Sequence, residues 1–582
     1  MLRIVPLVAA ALLATSTLAD TPSAALPDVG VVGATGLKLA NDHPVTAPRA
    51  MVVTAQHLAT DIGVAILKKG GNAIDAAVAV GYALAVVHPC CGNIGGGGFM
   101  VVHRANGENL FLDFREKAAL AATPTMFQDA NGNVVPERSR ASWLAIGVPG
   151  TVMGLDEALT TYGTMSRAEV MAPAIALARD GFTLTAADAH ILALRTKDFA
   201  TQPNVARIFL HPDGTPYTAG ERLVQPALAK TLDLIAQSGA DAFYKGPIAQ
   251  AIVSASRQNG GLFTLKDFAD YTAPWSAPVS CAYHGYQVIS SPPPSSGGTT
   301  ICEILQIVQP YPFAKWGFGS PEVTHALVEA ERHAFADRNT YLGDPAFVQN
   351  PIEALLSAEH AAKIRAEIKP DLATPSSQVQ GSLGAAEGLH TTHYAIVDAK
   401  GNAASVTYTL NFFFGNAKIA GDTGFFLNDE MDDFTSKPGV PNGFGLVQGE
   451  INAVAPGKRP LSSMAPTIVL KDGQLFMVTG SPGGSTIIST VLESILNVVD
   501  FGMNMQQAVD APRLHHQWLP DVVSVEPGYL TPESQVVLSA MGYTLKERSP
   551  WGADEAILRD PATGQLEGAN DNRRPAGLAE GY

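Results

Sequence analysis

The residues best placed to do chemistry lie between His390 and Asn411. Two β-branched-rich runs, His390 to Asp398 and Ala404 to Asn411, flank a Lys400-Gly401-Asn402 turn and read as a β-hairpin. The first strand opens on Thr391-Thr392, deep inside the chain, after a polar loop from Thr374 to Gly388 rich in Ser, Gln and Gly. A threonine freed there by backbone cleavage carries a hydroxyl nucleophile and its own α-amino base, the minimal unit of N-terminal-nucleophile catalysis. A surface hairpin with exposed threonines has the same pattern, so the rest of the chain has to decide between the two.

Other stretches carry groups of the right type. Asp113-Phe114-Arg115-Glu116 ends a strand on an arginine, a residue that elsewhere makes a surface ion pair. Gly424 to Phe434 is a dense unit that ends in Asn428-Asp429-Glu430-Met431-Asp432-Asp433. Gly480-Ser481-Pro482-Gly483-Gly484-Ser485 leads from a strand into a helix. A glycine pair there can present free backbone N–H groups to an anion, or can be a plain tight turn. Gly95-Gly96-Gly97-Gly98 demands close backbone approach or positive φ. It lacks the Lys-Ser/Thr of a phosphate-binding loop.

The elements that must position these groups can be read in outline. Helical periodicity covers 57–69 and 73–87, the second capped by Asn72, ended by His88-Pro89 and apolar nearly all round, hence buried. Paired strands are expected at 97–103 and 108–114. Helices are expected at 150–162, 166–180, 225–238, 240–258, 321–339 and 351–368. A strand–turn–strand unit at 467–479, turning on Asp472-Gly473, precedes a helix over 486–500. The Ser290 to Gly298 run is a rigid loop between a strand and a helix, not a domain linker. No internal repeat is visible.

Composition narrows the class. The chain has 582 residues, 46% hydrophobic and 16% charged, which fits two structural units or one large layered fold. Its net charge of −16 argues against nucleic acid as a partner. Met1 to Ala19 has a basic start at Arg3, an apolar run and small residues before Asp20, the pattern of a secretory signal. Asp20 to Thr46 reads as a loosely held leader. No later run is long enough for a membrane span, so the mature protein is expected to be exported, to a bacterial periplasm or the medium. The four cysteines have no zinc spacing. Cys90 and Cys91 read as buried small hydrophobes rather than a redox pair. Whether Cys281 and Cys302 are bonded stays open.

Taken together, His390-Thr391-Thr392-His393, Asn428 to Phe434, Lys458 to Pro466, Gly480 to Ser485 and His515-His516-Gln517-Trp518-Leu519-Pro520 resemble the γ-glutamyltransferases (γ-glutamyl transpeptidases) of bacterial type. Gly95 to Phe99 and Asp113 to Glu116 carry the resemblance into the N-terminal half, so it spans nearly everything after residue 45. It implies an α+β fold, a four-layer αββα sandwich of the N-terminal-nucleophile hydrolase type. It also implies a precursor that cuts itself between His390 and Thr391. The chain then divides into a signal (1–19), a leader (20–46), a large subunit (47–390) and a small catalytic subunit (391–582), the two subunits staying together as a heterodimer.

The resemblance also assigns roles. Thr391 is the nucleophile, Thr409 orients it, and Gly483 and Gly484 form the oxyanion site. Arg115, Ser462 and Ser463 take the α-carboxylate of a γ-glutamyl donor such as glutathione; Asn411, Glu430 and Asp433 take its α-ammonium. The chemistry agrees, since a carboxylate suits a guanidinium fork with hydroxyl donors and an ammonium suits acceptors. The acyl group passes to water or to an amino acid or peptide amine, and no metal or organic cofactor is expected. Two departures bear on the acceptor: Phe412-Phe413-Phe414 stands where relatives often carry smaller or polar residues. Phe444 stands where some bacterial members have a tyrosine. The alternatives are a related acylase for glutaryl-type amides, as on a cephalosporin, and an uncleaved exported binding protein.

Overall fold

The computed structural model describes residues 43–379 and 391–582. The expected signal, most of the leader and His390 lie outside the described residues. The hairpin around the turn is present as strands Thr392–Val397 and Ala403–Thr409. Its turn is closed by Asp398, whose carboxylate accepts from the Lys400 and Asn402 backbone N–H groups and from Asn402 Nδ2. The register pairs Thr392 with Tyr408, so Thr391 falls opposite Thr409 at the open end of the hairpin. Side chains alternate across a strand. Tyr394, Ile396, Val406 and Tyr408 therefore pack in one apolar cluster with the N-terminal helices, while Ala395, Val397 and Ala403 pack in another with the second sheet. Thr391 and Thr409 share this second side.

The hairpin lies at the centre of a seven-stranded antiparallel sheet. Across it run Leu578–Gly581, Met51–Thr54, Thr392–Val397, Ala403–Thr409, Gly97–His103, Asn109–Phe114 and Trp275–Ser276. A second antiparallel sheet runs Val45–Ala47, Leu566–Asn570, Glu555–Arg559, Gln474–Thr479, Thr467–Lys471, Tyr286–Ser290 and Val279–Tyr283. The sheets pack face to face, and Ser405 bonds across the gap: its hydroxyl donates to the Thr479 carbonyl at 3.0 Å and accepts from Thr467 N at 2.9 Å. Helices His57–Lys68, Ala73–Val87, Thr151–Tyr162 and Arg167–Asp180 cover the outer face of the first sheet. Helices Gly297–Val308, Pro321–Tyr341 and Thr486–Val499 lie on the side of the second. The result is the four-layer αββα sandwich.

Local chemistry accounts for the element bounds. Asn72 and Asp75 form a capping box at the start of Ala73–Val87. The four-glycine run is explained by close approach. A Cβ on Gly96 would lie 1.8 Å from the Thr409 carbonyl oxygen, and one on Gly95 2.0 Å from that of Phe426. Only glycine lets this turn, which leads into strand Gly97–His103, lie so close to the residues that build the site.

Four expectations need correction. The helix expected over 240–258 is two, Ala240–Tyr244 and Pro247–Gln258. Pro247 cannot extend a helix from its N-terminal side but fits the first turn of a new one. The helix expected over 351–368 is also two, Ile352–Leu355 and Ala358–Glu367, the second restarted by Ser357, whose hydroxyl caps His360 N at 3.1 Å. The end of the leader is not loose, because Val45–Ala47 pairs with Leu566–Asn570 at the sheet edge. Cys90 and Cys91 are buried as expected but are bonded to each other. Their turn is fixed from outside, with Leu410 N donating to the Cys91 carbonyl and Phe414 N to that of Cys90. Adjacency in sequence cannot separate a bonded from an unbonded pair. A second disulfide, Cys281–Cys302, ties strand Val279–Tyr283 to helix Gly297–Val308.

Candidate active site

A cavity opens at the end of the central hairpin. Nine of the ten residues expected at the site line it: Arg115, Thr391, Thr409, Asn411, Glu430, Asp433, Ser462, Ser463 and Gly484. The tenth, Gly483, precedes Gly484 in the same turn. They come from six separate stretches of chain, which the two sheets bring together.

Thr391 Oγ1 donates to Thr409 Oγ1 at 3.2 Å, and Thr409 Oγ1 also accepts from the Asn411 backbone N–H at 2.8 Å. Thr409 thus fixes where the Thr391 hydroxyl points. Asn411 sits at φ 77°, a left-handed conformation that asparagine tolerates better than most residues. This bend ends the strand and turns Asn411 into the cavity. Its Nδ2 donates to the Asp429 carbonyl at 3.0 Å, which leaves Oδ1 to accept from a ligand. Gly483 and Gly484 adopt φ +143° and +57°, and their N–H groups make no hydrogen bond among the described residues. At Gly483 a Cβ would stand 2.5 Å from Thr486 Oγ1. A turn in this shape, just before the helix Thr486–Val499, has its donors available for a developing negative charge.

Arg115 directly follows strand Asn109–Phe114 and is fully buried. It is no surface ion pair. Its Nη1 pairs with Glu430 and its Nη2 with Asp433 Oδ2 at 2.5 Å, and its Nε donates to the Pro460 carbonyl at 3.2 Å. Behind it stands Glu116, 3.6 Å from Nη1, buried and with neither carboxylate oxygen hydrogen-bonded among the described residues. Three carboxylates therefore crowd one guanidinium. Burial works against the Arg115 charge, but Glu430, Asp433 and Glu116 outweigh it and hold the cation more firmly than usual. Burial pushes the Glu116 carboxyl up to about 8 and raises Glu430 and Asp433 as well, against the pull of Arg115. The cluster is short of positive charge.

The arginine and the two carboxylates, expected to meet opposite ends of a ligand, are thus already paired with one another. Glu430 and Asp433 come from the single turn Glu430–Asp433, held by Asn428. The Asn428 amide donates to the Gly95 and Gly147 carbonyls at 2.8 and 2.9 Å and accepts from Gly147 N and Glu430 N. Opposite them, Ser462 Oγ accepts from Met464 N at 3.1 Å and Ser463 Oγ from Arg338 at 3.0 Å. Each hydroxyl keeps its proton for a cavity ligand.

Phe444 covers the cavity, stacked on Phe412 with centroids 4.9 Å apart and rings 4° from parallel. Its carbonyl accepts from Gln517, whose Oε1 in turn accepts from Ser485. That links the His515 to Pro520 stretch to the site. Sequence reasoning missed Glu116 and Arg338 as neighbours of the site. Glu116 was visible beside Arg115. Arg338 lay inside a helical run with no motif around it. Among the described residues there are two groups of potential metal ligands, His88/Cys90/Cys91 and Glu303/Asp337/His360. Neither borders the cavity, and each is already paired internally.

Two antiparallel sheets between helix layers, with a threonine at the head of a central strand, define an N-terminal-nucleophile type of protein. The Gamma-glutamyltranspeptidase family model matches residues 59–581, and the chain belongs to that family. It is 52% identical over 552 residues to a glutathione hydrolase proenzyme of Pseudomonas sp. (strain A14), covering 93% of this chain and 96% of the relative. It is 49% identical over 541 residues to the glutathione hydrolase proenzyme of Escherichia coli (strain K12), covering 93% of each. Among solved structures it is similar to a cephalosporin acylase from Bacillus halodurans, with a TM-score of 0.82 at 29% identity over 93% of this chain and 98% of that one. No helix of the described residues is long and apolar enough to cross a membrane.

Proposed function

We propose that this protein is a self-processing γ-glutamyltransferase that cleaves γ-glutamyl amides such as glutathione through an ester on Thr391. The observation that carries the reading is the pairing of Thr391 with Thr409 in one cavity with Arg115, Glu430 and Asp433. In the precursor the Thr391 hydroxyl attacks the carbonyl carbon of His390, the acyl group moves from nitrogen to oxygen, and water opens the ester. This frees the Thr391 α-amine. The large and small subunits stay together, since strands of the small subunit lie inside both sheets.

In turnover the α-amine takes the hydroxyl proton as Thr391 attacks the γ-carbonyl. The N–H groups of Gly483 and Gly484 stabilise the oxyanion. The proton passes to the leaving amine, and an ester of the γ-glutamyl group remains. Water, or the amine of an amino acid or peptide, then attacks that ester and restores the hydroxyl. The donor head group is a zwitterion, and the cluster around Arg115 offers both signs. The α-carboxylate meets Arg115 with the hydroxyls of Ser462 and Ser463; the α-ammonium meets Glu430, Asp433 and Asn411 Oδ1. The ammonium supplies the positive charge that the three carboxylates lack.

The similarity to a cephalosporin acylase keeps a glutaryl-type donor as the second reading. A glutaryl group has the same terminal carboxylate but no ammonium, so it leaves Glu430 and Asp433 without a new partner. Comparing turnover of γ-glutamyl and glutaryl anilides decides between them, and preference for the glutaryl compound overturns the first reading. Export to a periplasm or the medium, by way of the Met1 to Ala19 signal, belongs to the same proposal and is tested by fractionating cells.

A further inference from the structure

The helix Pro321–Tyr341 is buried along most of its length although it carries several charges, among them Glu329, Glu331, Arg332 and Arg338. Arg332 has carboxylate partners in Asp521 and Glu329. Arg338, 1% exposed, has no carboxylate within ion-pair distance among the described residues. Among the described residues its three hydrogen bonds all go to neutral oxygens: Nε to Ser296 Oγ at 2.8 Å, Nη1 to Asn339 Oδ1 at 2.7 Å and Nη2 to Ser463 Oγ at 3.0 Å. A buried cation held only by neutral acceptors is costly, and burial pulls its pKa down to about 10, with Asp433 opposing the fall. Such a group calls for a function.

The direction of these bonds supplies one. The Nη2 proton occupies a lone pair of Ser463 Oγ, so the hydroxyl proton of Ser463 points elsewhere, and Ser463 lines the cavity. Ser296 Oγ, which accepts from Nε, donates to the Ser462 carbonyl at 2.7 Å, and Ser296 N donates to the same oxygen at 2.8 Å. Arg338 thus holds both serines from behind, one directly and one through Ser296.

We propose that Arg338 is a positioning residue for the donor's α-carboxylate. It aims the Ser463 hydroxyl into the cavity, and its charge is balanced when an anionic group binds against Ser462 and Ser463. This rests on reading that end of the cavity as the carboxylate end of a γ-glutamyl site.

The test compares γ-glutamyl-p-nitroanilide with the analogue whose α-carboxylate is a carboxamide, in wild type, Arg338→Gln, Arg338→Lys and Ser296→Ala. Arg338→Gln is expected to raise KM for the carboxylate donor about tenfold with kcat changed less than about threefold. The preference for carboxylate over carboxamide shrinks by about the same factor. Arg338→Lys recovers part of it, since an ammonium restores charge but not three directed bonds. Equal loss with both donors, or a loss in kcat alone, overturns the proposal, because a merely structural arginine does not read the carboxylate. If Arg338→Gln fails to fold, Arg338→Lys and Ser296→Ala carry the test. Each must lower the preference about threefold, and an unchanged preference in both overturns it. Wild-type turnover separates two kinds of failure. No cleavage of the γ-glutamyl anilide refutes the donor reading; cleavage with a preference independent of Arg338 refutes only this role.

Discussion

Asp433→Ala offers the sharpest separation of substrate reading from structural support. Asp433 is buried, and its Oδ2 lies 2.5 Å from Arg115 Nη2, so removing it disturbs Arg115 as well as any bound ammonium. Every donor with a terminal carboxylate feels the first effect, whereas only a donor with an ammonium feels the second. A γ-glutamyl and a glutaryl anilide differ in that one group, so the ratio of their kcat/KM values isolates it. Truncating one partner of a buried, hydrogen-bonded charge pair costs roughly 2–5 kcal/mol. Glu430 stays to hold the ammonium, which places the differential at the lower end, about 2–3 kcal/mol or roughly 30- to 150-fold in the ratio. The assay is initial-rate hydrolysis of both anilides by processed enzyme, wild type and variant, at one pH. Equal losses for the two substrates refute the reasoning, and Asp433 is then only a support for Arg115.

Other outcomes follow from the same structure. Thr391→Ala leaves a single uncut chain on a denaturing gel, because no hydroxyl remains to attack. Thr409→Val removes the atom that orients Thr391 and accepts from Asn411 N; kcat falls roughly 100-fold in steady-state assays of whatever fraction is processed. His360, paired with Asp337 and Glu303, has its pKa raised to about 10 by those hydrogen bonds. Its stabilisation is full below the unfolded value near 6.5 and is lost as pH rises towards 10. His360→Gln therefore flattens the fall in Tm across that window, as seen by scanning calorimetry. Replacing Cys281 and Cys302 by Ala opens a loop of about twenty residues and costs roughly 3 kcal/mol, read as a lower Tm with kcat/KM unchanged.

Local patterns made much of this legible. Helix Ala73–Val87 has the bounds expected because Asn72 and His88-Pro89 punctuate it in the sequence itself. The hairpin register follows from a turn whose Asp398 and Gly401 leave little choice, and that register alone sets Thr391 opposite Thr409. Arg115 was visible as a residue, but its burial among Glu116, Glu430 and Asp433 is a tertiary fact that no window around it contains. Arg338 was hidden for the same reason. Its significance lies in having no carboxylate within ion-pair distance among the described residues, which only the packing of Pro321–Tyr341 against the Ser462-Ser463 loop reveals. The Gly246-Pro247 break was present in sequence and lost inside a long helical pattern; a proline after glycine is better read as a new start.

In the proposed reaction Thr391, exposed by self-cleavage, carries the acyl group. Mass spectrometry of the purified protein, quenched in acid during turnover of a γ-glutamyl anilide, tests it most directly. Two chains are expected, the smaller beginning Thr-Thr-His-Tyr, with the mass of one γ-glutamyl group added to the peptide that starts at Thr391. An active uncut chain, another N-terminus, or the added mass on a different residue contradicts it.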